Sequence, residues 1–273
     1  MSRVCLVGIG DPAFRPAHVH MGPGLRLGHL ATALARDACE LLVVVVHNGS
    51  SGSHAPGAAS EEEHWIEGRR VRTVDVQESQ LTGGEIAATI RAFEADALVG
   101  VTTLGASLAC RLRLNLPLWA DVFGDCMAEA QAKAVVHGHD ASLSRFWSTL
   151  QPVLHYADRF SAVSNAQADA LLGQLGLAGR LTAGNAGTQM VHVIPCAAER
   201  PTDAMQDARD AIVDRNAFVV GWNGSFNTWC DVTTLFSGLE QAMARDPRIV
   251  FLATGGVVEG HDVATYARFV SLV

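Results

Sequence analysis

The chain has 273 residues, room for one large domain or two modest ones. Its 49% hydrophobic content and mean hydropathy of +0.19 require a substantial buried core and exclude global disorder. A net charge of −8 argues against a protein that grips a phosphate backbone, which needs a basic face.

Lysine occurs once, at Lys133, so arginine supplies the other basic side chains. The six cysteines, at 5, 39, 110, 126, 196 and 230, show no CxxC spacing, and most sit in apolar runs. They read as small buried hydrophobes in a reducing compartment. The N-terminal apolar run is too short for a signal peptide, and no run approaches the roughly 18 apolar residues of a membrane span. The expectation is a cytoplasmic α/β protein without a transmembrane segment.

In chain order, Val4 to Ile9 reads as a buried strand, followed by a long loop from Gly10 to Gly24 and a helix beginning near Leu25. Leu41 to Val46 is a β-branched run suited to a parallel sheet covered on both faces. The Gly/Ser/Ala-rich segment 49–60 reads as a surface loop, and Trp65 to Val76 as a hairpin or edge strand. A helix is expected over Glu85–Glu94, a strand over Ala97–Thr102, a helix over Leu104–Leu114 and a strand over Leu116–Val122. Helices carrying Glu129 and Lys133, and over Ser142–His155, precede a strand at Arg159–Val163. A helix capped by Asn165 and a strand at Val191–Pro195 complete this half. Such alternation is the doubly wound pattern. Pro201 to Asn216 is charged and helix-like, and the boundary is placed at 200, giving domains 1–200 and 201–273.

The second domain opens with a strand from Phe218 that breaks at Gly221, a loop to Cys230, a helix capped by Asp231, and a second strand, Ile249 to Ala253, ending in Thr254-Gly255-Gly256. This is one βαβ unit, so its two strands should be parallel. Both glycine-containing loops emerge at the carboxyl ends of the strands, where open α/β sheets bind ligands.

Four groups of residues carry chemical expectations. Gly22, Gly24 and Arg26 could let a helix N-terminus and a guanidinium meet a phosphate, although the loop lacks the GxGxxG spacing; the alternative is a tight βα turn. Asn223, Gly224, Ser225, Asn227, Thr228 and Gly255 could hold phosphate or sugar oxygens, with Trp222, Phe226 and Trp229 walling a pocket, or they could form an aromatic-anchored structural loop. Asp121 and Asp125 flank Gly124 at a strand end, and Glu129 lies one helical turn on. Carboxylates there serve as a general base or bind hydroxyls, and Asp is equally an ordinary cap. His18, His20, His137 and His139 form two HxH pairs in loops with no third ligand, so no metal site is expected. A loop histidine such as His20 suits acid–base work or a hydroxyl contact.

Three segments together resemble retaining GT-B glycosyltransferases of the GT4 type: GPGLRLGHLATALARDACELLVVV (22–45), ADRFSAVSNAQADALL (157–172) with VHVIPCAAE (191–199), and the strand–loop–helix–strand from Phe218 to Gly256. The resemblance implies two Rossmann-like domains, the second incomplete, with a nucleotide-diphosphate sugar bound between them and a hydroxyl acceptor on the first. It implies donor phosphate contacts at Gly22, Gly24, Arg26, Asn223, Gly224, Ser225 and Gly255. It leaves His20, Asp125 and Glu129 on the acceptor side and Asp121 as the catalytic candidate. The donor is a substrate, and no cofactor or essential metal is implied. The family's lysine near the second domain's first helix has no counterpart: Trp229-Cys230 stand there. The family's second domain needs more residues than follow position 200, so the chain is expected to be a fragment of a longer enzyme. Competing expectations are a GT-B sugar-nucleotide epimerase and a non-catalytic module that binds a nucleotide or a partner.

Overall fold

A computed structural model of the chain describes residues 1–16, 20–47, 60–198, 212–257 and 262–273. It divides into two units, Met1–Ala130 with Asp140–Ala197, and Gln131–His139 with Ala198–Val273. The expected loop at 49–60 lies outside the described residues except for Ser60, as does most of the helix-like segment 201–216.

The apolar runs of the first unit form strands β1 (Arg3–Ile9), β2 (Glu40–His47), β3 (Ser60–Ile66), β4 (Arg69–Gln77), β5 (Ala97–Val101), β6 (Leu118–Asp121), β7 (Arg159–Ala162) and β8 (Val191–Val193). They make one sheet in the order β3-β4-β2-β1-β5-β6-β7-β8, parallel throughout except for β3 against β4. The helices between them are α1 (Gly22–Arg36), α2 (Glu85–Ala92), α3 (Thr102–Arg111), α4 (Cys126–His137), α5 (Ala141–Tyr156) and α6 (Asn165–Leu177), with α4 divided between the two units.

Both sheet faces are covered, which is why the strands read as unbroken apolar runs. Along β1, Val4 and Leu6 face the side packed by Leu27, Leu30 and Ala31 of α1. Cys5 and Val7 face the side packed by α2, α3 and α5 through Ile86, Ile90, Leu108, Leu150 and Val153. The chain therefore leaves β1 toward one face and leaves the neighbouring β5 toward the other. That divergence is the topological switch point, where a crevice opens at the carboxyl ends of the strands.

Local chemistry moves several boundaries. Helix α1 starts at Gly22 rather than near Leu25, because Pro23 suits a first helical turn, where its missing N–H costs nothing. The β3–β4 connection is a two-residue hairpin with Glu67 at φ 51° and Gly68 at φ 72°, the left-handed pair that matches strand twist. Ser164, not Asn165, caps α6 by accepting a hydrogen bond from the Gln167 amide. Strand β5 ends at Val101 and α3 begins at the next residue, two positions earlier than its apolar spacing predicts. Cys5 and Cys126 are buried, whereas Cys196 is exposed and departs from the expectation of buried thiols.

The second unit contains β9 (Phe218–Asn223), α7 (Val232–Arg245), β10 (Ile249–Thr254) and α8 (Ala264–Leu272). Strands β9 and β10 pair in parallel, and Asp231 caps α7 by accepting from the amide and hydroxyl of Thr234. Its apolar interior is largely aromatic: Phe226 is fully buried and stacks at 3.8 Å on Phe269, with Trp222, Tyr266 and Phe236 around the pair. The strands remain half-exposed, and Phe218 keeps 64% of its surface in solvent.

Arg15 ties the edge of the large sheet. Its guanidinium donates to both oxygens of Asp75 at 2.8 and 2.7 Å and to the Thr73 hydroxyl at 2.6 Å, and lies 3.3 Å from Glu62. His47 Nε2 donates to the same carboxylate at 2.7 Å. Glu62 pairs with Thr73 in the β3–β4 register, so the hairpin presents these groups on one face. Burial by itself would raise the Asp75 carboxyl, but the hydrogen bonds and positive charge of His47 and Arg15 outweigh it and hold the group well below the usual carboxylate range. A carboxyl depressed in the folded state stabilises above its unfolded value of about 4, and that contribution disappears as pH falls. Unfolding followed from pH 7 to pH 2 should show wild type losing more stability below pH 4 than Asp75→Asn; parallel pH profiles would refute the linkage.

Candidate functional site

The carboxyl edge of the large sheet is organised by a buried ion pair. Asp121, the last residue of β6, is completely buried, and Arg26, in the second turn of α1, is 4% exposed. Arg26 Nε and Nη2 donate to the two Asp121 oxygens at 3.0 and 2.7 Å. Nη1 donates to the Pro195 carbonyl at 2.8 Å and Nη2 to the Ile194 carbonyl at 2.9 Å. Ser161 of β7 donates to Asp121 at 2.6 Å and accepts from the Trp119 indole at 2.8 Å. The Phe123 ring, 5.9 Å from the guanidinium carbon, covers the pair. One network thus joins α1, β6, β7 and the segment after β8.

This arrangement gives both residues structural partners within the first unit. All three guanidinium nitrogens of Arg26 are engaged within the chain. The Asp121 carboxylate accepts from Arg26 and Ser161 and meets no solvent, unlike a base presented to a substrate hydroxyl. The two residues are 95 positions apart, and no spacing rule connects them. The available signal was weaker: a single opposite charge at the end of each of two apolar elements.

The glycines separate into two roles. A Cβ on Gly24 would lie 2.2 Å from the Asp11 carbonyl oxygen, so Gly24 is required for the loop after β1 to close on α1. Gly22 is exposed at the open start of the same helix, which has no side-chain cap. His20 is half-buried, with Nδ1 3.3 Å from the Asp11 carbonyl, and His18 lies outside the described residues. Asp125 acts as a cap, accepting from the amides of Met127 and Ala128 at the start of α4. Glu129 folds back toward Gly124, where an added Cβ would meet its carboxylate at 2.5 Å. Gln167 secures this loop through the Val122 and Gly124 carbonyls and lines a small depression of about 10 Å³ with Cys126 and Leu171. Burial pushes the Cys126 thiol up to about 12, which removes it as a nucleophile.

In the second unit the two glycine loops pack on one another. Gly224 has φ 144° and Gly255 φ 114°, and a Cβ on Gly255 would lie 2.2 Å from the Gly224 carbonyl oxygen. The Gly224 amide donates to the Thr254 carbonyl, and the Thr254 hydroxyl to Asn223 at 2.9 Å. Asn227 braces the next turn through Ser225 and the Trp229 amide. Asn223 and Gly224 are exposed and Ser225 is half-buried, so this loop presents polar groups to solvent at the carboxyl ends of the strands. Phe226 belongs to the aromatic core rather than to a pocket wall, whereas Trp229 is 43% exposed with the Lys133 ammonium 5.9 Å from its ring centroid.

Sequence reasoning missed Thr102 and Thr103. Both are 8% exposed, their hydroxyls lack hydrogen-bond partners, and Thr102 has φ 63°. A β-branched residue in that region is a genuine backbone outlier, of a kind that clusters at functional sites. Among the described residues no three His, Cys, Asp or Glu side chains converge as a metal site, and no helix is long and apolar enough to cross a membrane.

A doubly wound sheet followed by a second, partial Rossmann-like unit is the GT-B arrangement. Solved structures with the same fold include sucrose-phosphate synthase from Thermosynechococcus elongatus, at TM-score 0.65 and 17% identity over 100% of this chain and 67% of that one. The catalytic domain of starch synthase IV from Arabidopsis thaliana, bound to ADP and acarbose, matches at 0.59 and 10% identity over 99% and 71%. The E. coli trehalose-6-phosphate structure bound with UDP-2-fluoro glucose matches at 0.57 and 11% over 99% and 68%. These neighbours are GT-B glycosyltransferases, and this chain is shorter than each of them. No protein-family profile and no curated protein sequence matches the chain.

Removing one partner of the buried pair strands the other. Arg26→Met or Asp121→Leu should each cost about 3–5 kcal/mol in urea unfolding, and the double substitution should cost much less than their sum. Additive costs would show that the two charges are not coupled. Gly255→Ala should destabilise the second unit by about 1–3 kcal/mol through its left-handed φ and the Gly224 clash, whereas Gly22→Ala, which meets nothing, should leave the melting temperature unchanged.

Proposed function

We propose that this chain belongs to a glycosyltransferase that moves a sugar from a nucleotide-diphosphate sugar to a hydroxyl acceptor, with retention at the transferred carbon. The observation that carries this reading is the fold likeness along the whole chain to sucrose-phosphate synthase, starch synthase and trehalose-6-phosphate structures, two of which hold a nucleotide or a nucleotide sugar. In this reading the exposed backbone and side chains of Asn223, Gly224, Ser225 and Gly255 hold the donor diphosphate. Their N–H groups stabilise the leaving charge as the glycosidic bond breaks, the electrostatic contribution that dominates many group transfers. Gly22, at the uncapped start of α1, is the first unit's own candidate for an anion contact. His20, Asp125 and Glu129 lie on the acceptor side, and the Arg26–Asp121 network holds α1 and β6 rigid. The donor is a substrate, so the reaction needs no resident cofactor, and the work is carbohydrate biosynthesis in the cytoplasm.

A second reading, a module that binds a nucleotide without turnover, is favoured by the missing family lysine near the second domain's first helix, where Trp229-Cys230 stand. Incubation with a set of nucleotide sugars, with and without sugar acceptors, separates the two. Acceptor-dependent release of nucleoside diphosphate supports transfer. Acceptor-independent conversion assigns an epimerase, and nucleotide-induced thermal stabilisation without turnover assigns the binding module. Gly224→Val should abolish the stabilisation, because φ 144° is closed to a β-branched side chain.

A further inference from the structure

Strand β5 passes directly into α3 at the topological switch point. No connecting residue separates Val101 from Thr102, and Val101 pairs in register with Asp121, so the first turn of α3 rises at the edge where the buried ion pair sits. Two glycines permit so abrupt a turn. A Cβ on Gly100 would lie 2.2 Å from Ala106 Cα, and one on Gly105 would lie 2.7 Å from the Val7 carbonyl oxygen, so α3 rests directly on β1 and β5. The remaining strain falls on Thr102 at φ 63°.

The turn is also electrostatically incomplete. The cap residue of α3 is Val101, no side chain bonds the first amides, and the first turn holds no acidic residue. Thr102 and Thr103 then add two hydroxyls, both more than nine-tenths buried and both without a partner. Buried polar groups are almost always paired, and valine would fill the same space without an unmet hydrogen bond. A nucleophilic role does not fit, because no histidine or carboxylate bonds either hydroxyl. A cation does not fit, because a helix N-terminus is positive and the nearby Asp121 charge is neutralised by Arg26.

We infer that the first turn of α3, with the hydroxyls of Thr102 and Thr103, is a binding subsite for an oxyanion of the phosphate class carried by a substrate. The unpaired amides and the helix field supply the attraction, the two unpaired hydroxyls supply further donors, and exclusion of water strengthens each contact. Ligands of open α/β sheets bind outside the switch point, where this turn lies. The inference stands on the first unit alone and does not depend on glycosyl transfer, so loss of one reading leaves the other intact.

The experiment is a calorimetric titration of the full chain with inorganic phosphate against a chloride background of matched ionic strength. Wild type should bind phosphate saturably, Thr103→Val and Thr102→Gly should each weaken binding by about tenfold, and Thr103→Ser should restore it. Without phosphate, Thr103→Val should melt no lower than wild type, since it removes an unpaired group. Absence of saturable binding, equal affinity in the variants, or a lower melting temperature for Thr103→Val alone would each overturn the inference. Displacement by a hexose phosphate assigns the oxyanion to the acceptor, and displacement by a nucleoside diphosphate assigns it to the donor.

Discussion

A guanidinium taken out of water must find an acceptor for each face of its fork, and meeting that requirement shapes one end of the first unit. Arg26 finds its acceptors on two separate pieces of chain: the carboxylate ending β6 and the two successive carbonyls just beyond β8. Ser161 and Trp119 complete the set by orienting the carboxylate from the neighbouring strand and from β6 itself. Because both charges are buried, neither can shift without leaving the other unpaired in a low-dielectric interior. The helix α1, the ends of β6 and β7, and the segment after β8 are therefore held in one arrangement. The loops that emerge at this edge inherit that rigidity.

The Arg15 network works in the same way at the opposite edge of the sheet, where it joins the loop after β1 to the hairpin of β3 and β4. An acidic protein with arginine as nearly its whole supply of cations has here turned two of them into internal struts. A count of basic residues does not distinguish such buried struts from surface cations. The starts of α1 and α3, by contrast, carry no side-chain cap.

The second unit is held together differently. Its two strands are half-exposed, and cohesion comes from stacked aromatic rings centred on Phe226 together with the close packing of two glycine loops. Gly255 is the position where geometry leaves no alternative, since its φ and its distance from the Gly224 carbonyl both exclude a Cβ. The polar groups of Asn223, Gly224 and Ser225 are therefore presented by a scaffold of hydrogen bonds between the two loops rather than by a deep core.

Much of the fold could be read from the chain alone. Unbroken runs such as Leu41 to Val46 specify a strand buried on both faces, and their alternation with amphipathic helices specifies a doubly wound sheet, because hydrophobic period is a local property. The βαβ pairing of β9 and β10 and the cap at Asp231 were legible for the same reason. The site was not, because its meaning depends on distant partners. Arg26 and Asp121 read as separate functional candidates until tertiary structure brought them to 2.7 Å, and Gly24 read as an approach to an anion until Asp11 filled that space. Thr102 and Thr103 read as a strand end and a linker, since left-handed φ and an unpaired hydroxyl leave no mark in residue spacing. Sequence determined which segments would be buried and with what periodicity. Only the tertiary structure decided which polar groups found partners and which were left without.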